Sequence, residues 1–106
     1  ILVDCLTLWP SNALFSRPAD FPDVGTITLP PVFHVQHAYF LQALEQASGD
    51  IVLVSNEIGM GVVPYGAVSR CFTDEAGRLN QAVAARCEHV VLVAAGLPLI
   101  LKGAPC

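Results

Sequence analysis

Ile51-Val52-Leu53-Val54-Ser55 is an unbroken, β-branched apolar run that stops at Asn56 and Glu57. Two other stretches read the same way: Ile1–Asp4 (ILVD) closes on an acid, and Val90–Ala94 (VVLVA) runs toward Gly96. None alternates apolar with polar residues, so each reads as a short strand buried on both faces of a sheet. Helical patterns separate them. Ala38–Ala47 precedes Ser48-Gly49-Asp50, with Gly49 placed as a helix stop. Val68–Cys87 carries Phe72, Ala76, Leu79 and Val83 at i, i+4, i+7 and i+11, which makes one apolar stripe. Arg70, Asp74 and Arg78 follow at i+4 spacing on another side and predict modest surface ion pairs. Gly77 costs that helix about 1 kcal/mol relative to alanine, and a close contact with a neighbouring backbone would account for it. Strand, helix, strand, helix, strand predicts an α/β fold with parallel pairing through right-handed crossovers.

Composition narrows the class. Of 106 residues, 54% are hydrophobic before any glycine is counted, and only 13% are charged. Ordinary domains reach about 45–50% apolar with glycine included, and carry about a quarter charged residues. Such a chain buries ample surface, which excludes disorder. Five basic against nine acidic residues give a net charge of −4, which excludes a basic nucleic-acid arm. The length suits one domain, and its apolar excess implies a large interface with copies of itself or membership of something bigger. Ser16–Pro31, with Pro18, Pro22, Gly25, Pro30 and Pro31, reads as a loop or excursion within that domain.

Neither a basic leader nor an apolar run near the roughly 20 residues of a membrane helix is present, so a soluble protein is expected. Cys5, Cys71, Cys87 and Cys106 are spaced unlike a dense disulfide framework and contain no C-x-x-C pair; free thiols are expected. His34 and His37 stand three apart with no second pair beside them, a poor metal site.

Chemistry in an open parallel sheet belongs beyond the carboxyl ends of the strands. Asp4 ends the first strand, where an acid serves either as a turn or helix cap or as a Mg²⁺ ligand. After the second strand comes Asn56-Glu57-Ile58-Gly59-Met60-Gly61-Val62-Val63-Pro64. Its two glycines permit tight turns and close approach of a ligand. It lacks the lysine of a P-loop, and Pro64 stands where a dinucleotide fingerprint needs its third glycine. In Gly77-Arg78-Leu79-Asn80-Gln81, Arg78 could meet a phosphate or pair with Asp74, and Asn80 and Gln81 could bridge to a neighbouring loop. Arg17 and Lys102 are two further cations, both read as surface charges. Ser55 lacks a nucleophile elbow and no cysteine has a paired histidine, so no self-contained nucleophilic site is visible.

Taken together, Asp4-Cys5-Leu6-Thr7-Leu8-Trp9 with Ser11-Asn12-Ala13-Leu14-Phe15 resembles the D-C-L-T-L-W-x-x-N-L-L stretch of the bifunctional adenosylcobinamide kinase/adenosylcobinamide-phosphate guanylyltransferases. Val54–Pro64 is similar to that family's V-S-N-E-V-G-x-G-I-V-P. Arg70, Phe72, Asp74 and Gly77–Gln81 match its R-x-F-x-D-x-x-G-R-x-N-Q, and Val90–Leu99 with Lys102-Gly103 matches its ending. The resemblance covers nearly the whole chain except Ser16–Pro31. It implies a RecA-like P-loop NTPase sheet, a homotrimer, and a cytoplasmic enzyme of cobalamin biosynthesis. Such enzymes phosphorylate adenosylcobinamide with ATP or GTP, then transfer GMP from GTP through a guanylylated histidine. Asp4 falls at the family's acid near nucleotide and Mg²⁺, and the resemblance extends nucleotide binding to Glu57 and Arg78.

One departure is large. The family's glycine-rich GKS loop and nucleophilic histidine have no counterpart in these 106 residues, and His34, His37 and His89 lie outside its histidine motif. Without P-loop amides and lysine, phosphate binding lacks its main cradle. The chain therefore reads as the C-terminal part of a single P-loop-type domain, inactive alone, with both missing segments expected upstream of Ile1. The other reading is a non-catalytic truncated homologue that oligomerises or holds a corrinoid.

Overall fold

The computed structural model describes residues 1–9 and 31–104. The Ser16–Pro30 stretch, Arg17 and Cys106 lie outside the described residues, and with them the reading of a proline-rich excursion. The element order is β1 (Leu2–Asp4), α1 (Pro31–Gln46), β2 (Val52–Val54), α2 (Ala67–Arg86), β3 (Val90–Ala94) and β4 (Leu97–Lys102). The fold is α/β, as the alternation of strand and helix patterns implied.

β1 and β2 pair in parallel, with Leu2 opposite Val52, Val3 opposite Leu53 and Asp4 opposite Val54. Parallel neighbours need a crossover, and α1 lies within it. Val3 and Leu53 point inward against the helices, while Leu2 and Val52 point out. The expectation of burial on both faces is therefore met on one face only among the described residues: Leu2 and Val52 remain 68% and 58% exposed.

α1 begins seven residues earlier than the apolar pattern suggested. Pro31 opens it, a position where the fixed φ of proline suits the helix and its missing N–H costs nothing. The earlier start carries Phe33, His34 and His37 into the helix. Phe33 is buried at 2% exposure. Trp9 lies 5.5 Å from its ring and 5.9 Å from that of His37. After α1, Gly49 takes a left-handed φ of 86° in the turn toward β2.

α2 is the longest element and the floor of the core. Leu79 and Val83 pack with Leu6, and around them stand Val3, Phe40, Leu41, Leu44 and Leu53. Phe72 from the same stripe joins Phe33 and Cys71 in a second cluster, with Trp9 touching both. Arg86 ties α2 to α1 through Glu45 at 2.8 Å. At Gly77, the space a Cβ would occupy is open, so the close backbone contact expected there is not found among the described residues.

The third strand departs most from expectation. β3 does not add to the β1–β2 pair; it pairs antiparallel with β4 in a separate two-stranded sheet. A two-residue turn folds β4 back onto β3. Ala95 and Gly96 adopt φ of 53° and 74°, the paired left-handed conformation of a tight hairpin turn that matches strand twist. Every residue of β4 is exposed, including Leu97, Leu99, Ile100 and Leu101. Pro98 sits in this strand, where a missing N–H is tolerable because the strand is an edge.

Candidate functional site

The carboxyl ends of β1 and β2 lie side by side, and the chain leaves both at the same edge. The Leu6 amide donates to the Val54 carbonyl at 2.8 Å, extending the pairing one step past the strands. Beyond that point side chains take over. The Asn56 amide donates to Thr7 Oγ1 at 3.0 Å, and Asn56 Nδ2 reaches Cys5 Sγ at 3.5 Å. The Cys5 thiol in turn donates to Thr7 Oγ1 at 3.0 Å. From below, α2 contributes Asn80: Ser55 Oγ donates to its Oδ1 at 2.6 Å, and its Nδ2 donates to the Asn56 carbonyl at 3.0 Å. The bridge from the Gly77–Gln81 segment to a neighbouring loop thus exists, made by Asn80.

Asp4 and Glu57 flank this network. Asp4 ends β1, exposed, and among the described residues no hydrogen bond or ion pair engages its carboxylate. Glu57 follows Asn56 and turns its carboxylate onto its own loop, accepting from the Gly59 amide at 2.9 Å. A Cβ at Gly59 would stand 2.9 Å from the same oxygen, a contact the flexible Glu57 side chain could relieve by shifting. Past it, Met60, Val62, Val63 and Tyr65 are all exposed.

Arg78 is placed differently from the two acids. It pairs with Glu75 one turn earlier, not with Asp74. Glu75 is buried, so its carboxylate needs a charged partner more than the exposed Asp74 does. Arg78 nevertheless keeps 64% of its side chain in solvent. Lying two residues before Asn80, it faces about 200° around the helix from the face that meets the strand exits. No contact joins it to Asp4 or Glu57 among the described residues. Glu75 and Asp74 also act on Cys71: burial first, then their charges, push its thiol pKa up, and Arg78 opposes them. Cys5, Cys71 and Cys87 are free thiols.

The histidines stand apart from the exits. His34 is exposed on α1 with its ring edge-on to Phe33, and His37 lies against Trp9 and Phe33. His89 Nδ1 donates to the Ala104 carbonyl, 3.1 Å away, at the base of the hairpin. No group of three or more potential metal-ligating side chains occurs among the described residues. No described helix is long and apolar enough to cross a membrane. Sequence reasoning singled out Asp4, Glu57 and Asn80 but missed Thr7 and Asn56. Their signal was a polar residue placed one to three positions after each apolar run ends.

Comparison with known proteins bears on the same residues. The bifunctional adenosylcobalamin biosynthesis protein CobP of Pseudomonas aeruginosa is 46% identical over 105 residues, covering 99% of this chain and 54% of the relative. The CobU proteins of Escherichia coli and Salmonella typhimurium are 34% and 33% identical over 104 residues, each covering 96% of this chain and 58% of the relative. The chain thus spans little more than half the length of these relatives. A family model described as cobinamide kinase / cobinamide phosphate guanyltransferase matches residues 1–101, taking in both strand exits, α2 and nearly all of the hairpin. The chain belongs to the cobinamide kinase / cobinamide phosphate guanyltransferase family.

Proposed function

We propose that this chain supplies the strand-exit part of an enzyme of cobalamin biosynthesis. That enzyme phosphorylates adenosylcobinamide with ATP or GTP and transfers GMP from GTP to adenosylcobinamide phosphate. The observation that carries the reading is the family match across residues 1–101. The geometry supports it at one place: a parallel strand pair delivers two acids, Asp4 and Glu57, to a single edge, where ligands of parallel sheets bind. The proposal extends the pair into a RecA-like parallel sheet, within a cytoplasmic homotrimer.

Within this reading Asp4 is the metal ligand. Its exposed, unengaged carboxylate is a hard oxygen donor of the kind Mg²⁺ takes alongside phosphate oxygens. When bound, Mg²⁺ neutralises charge on the phosphoryl group in transfer. Glu57 holds the turn through the Gly59 amide and presents its other oxygen to the nucleotide. Arg78, paired with Glu75 and turned away from the strand exits, is left out of this site. His34, His37 and His89 take no covalent role. The phosphate-cradling loop and the guanylylated histidine are assigned to sequence other than these 106 residues.

The test is turnover by the protein at its natural length, given adenosylcobinamide and Mg·GTP, with the products read by mass spectrometry. A phosphorylated corrinoid followed by its GDP-linked form is expected. Corrinoid binding without conversion would replace the reading with a binding module, and neither binding nor conversion would remove it.

A further inference from the structure

We propose that Asn80 is a positioning residue for the reaction, locking the two acid-bearing strand exits to α2 and to one another. The catalytic half of this proposal rests on the functional reading above; the geometric half stands on the hydrogen bonds alone. Three elements meet in one connected chain of contacts. Asn80 accepts from Ser55 Oγ and donates to the Asn56 carbonyl. Asn56 passes the link to β1 through its amide, held by Thr7 Oγ1, and through its side chain, held by Cys5 Sγ. Asn56 is therefore gripped at its carbonyl, its amide and its side chain, and Glu57 is the next residue. Cys5, at the other end, is the next residue after Asp4.

The chemistry demands an amide at position 80. Asparagine offers an acceptor and a donor on one carbon, which matches a hydroxyl on one side and a carbonyl on the other. Its orientation is determined by the Asn56 carbonyl, which can only accept, so Nδ2 must face it. Asparagine is also a poor helix former, and it stands well inside α2. That local cost is offset by its contacts with residues 24 and 25 positions away. A carboxylate at this position would keep the bond from Ser55 and set two acceptors against each other at Asn56.

The experiment compares Asn80→Ala, Asn80→Asp, Ser55→Ala and Ser55→Thr in the protein at its natural length. Turnover is measured with adenosylcobinamide and Mg·GTP, and amide hydrogen exchange is followed at Asn56. Groups that orient the residues contacting a ligand typically cost about 10–100-fold when removed. Asn80→Ala and Asn80→Asp are expected to lower kcat within that range while the KM for GTP moves less than about threefold. Asn80→Asp regains activity as the pH falls, because the protonated carboxyl recovers a donor for the Asn56 carbonyl. Ser55→Thr, which keeps the hydroxyl, loses less than Ser55→Ala. Exchange at Asn56 accelerates in Asn80→Ala. Unchanged kcat with faster exchange overturns the proposal in favour of a purely structural tie, and so does a loss confined to KM. If the unsubstituted protein shows no turnover, the functional reading fails on its own. Exchange at Asn56 then still decides the link between the exits, with an unchanged rate overturning it.

Discussion

The strand exits and the β3–β4 hairpin are held together by opposite means. At the exits, side chains from residues 24 to 51 positions apart close a polar network over two three-residue strands. The hairpin is organised by its own two-residue turn and by a ladder between residues that are close in sequence. Its ties to the rest run through Lys102, whose Nζ donates to the Ala84 and Ala85 carbonyls at 2.9 and 3.2 Å. There a cation meets the carboxyl end of α2, where helix carbonyls lack partners and favour positive charge. The exits are specified by tertiary contact, and the hairpin by local conformation. An isolated two-stranded hairpin is marginal in water, so its stability is borrowed from α2.

Leu79→Ala should separate the regions most strongly. Leu79 is 2% exposed and packs with Leu6 and Val83 directly beneath the exits. Truncating a buried leucine costs about 2–5 kcal/mol. Denaturant unfolding should show that loss, and amide exchange should rise at the exits before it rises in the β3–β4 turn. Equal and simultaneous loosening of both would mean that they form one cooperative unit.

Gly103→Ala attacks the other region. Gly103 has a φ of 84°, and a Cβ there would stand 2.4 Å from the Glu88 carbonyl and 2.7 Å from His89 Nδ1. Strain of this kind costs on the order of 1–3 kcal/mol. Its expected mark is faster exchange along β3 and β4 with little change at Asn56. An unaltered hairpin would show that the end of β4 is not anchored at its base.

Gly77→Ala should have the smallest effect, and in the opposite direction. With open space at the Cβ position and a helical backbone, alanine is expected to raise stability by about 0.5–1 kcal/mol. Thermal unfolding gives the sign. A destabilised alanine variant would mean that Gly77 is covered by something beyond the described residues, and would restore the close contact that the helix pattern suggested.

Much of this was legible in the residues. The helix expected over Val68–Cys87 lies within one residue of the observed Ala67–Arg86, because period and burial agree along a helix lying on a core. The places of Asp4 and Glu57 at the strand exits are legible because acids that follow apolar runs stand out. The start of α1 was not legible, since Pro31 reads as a breaker until its position at the first helical residue is known. Arg78 was matched to Asp74 on spacing alone, but i+3 and i+4 partners compete, and burial of Glu75 decides between them. Ala95-Gly96 is the turn of a hairpin that the sequence reading does not anticipate, because a two-residue reversal leaves almost no polar signature in so apolar a stretch.

The sequence by itself determined that the chain is α/β, that its strand ends carry acids, and to which family it belongs. Those properties reside in composition, periodicity and motif, all of which are local along the chain. Only the tertiary structure decided which strands pair, which face of the β1–β2 pair is covered, and that Asn80, Asn56, Thr7 and Cys5 meet. Hydrogen bonds are directional and short, so residues as much as 51 positions apart can be joined only once packing has brought their elements within about 3 Å.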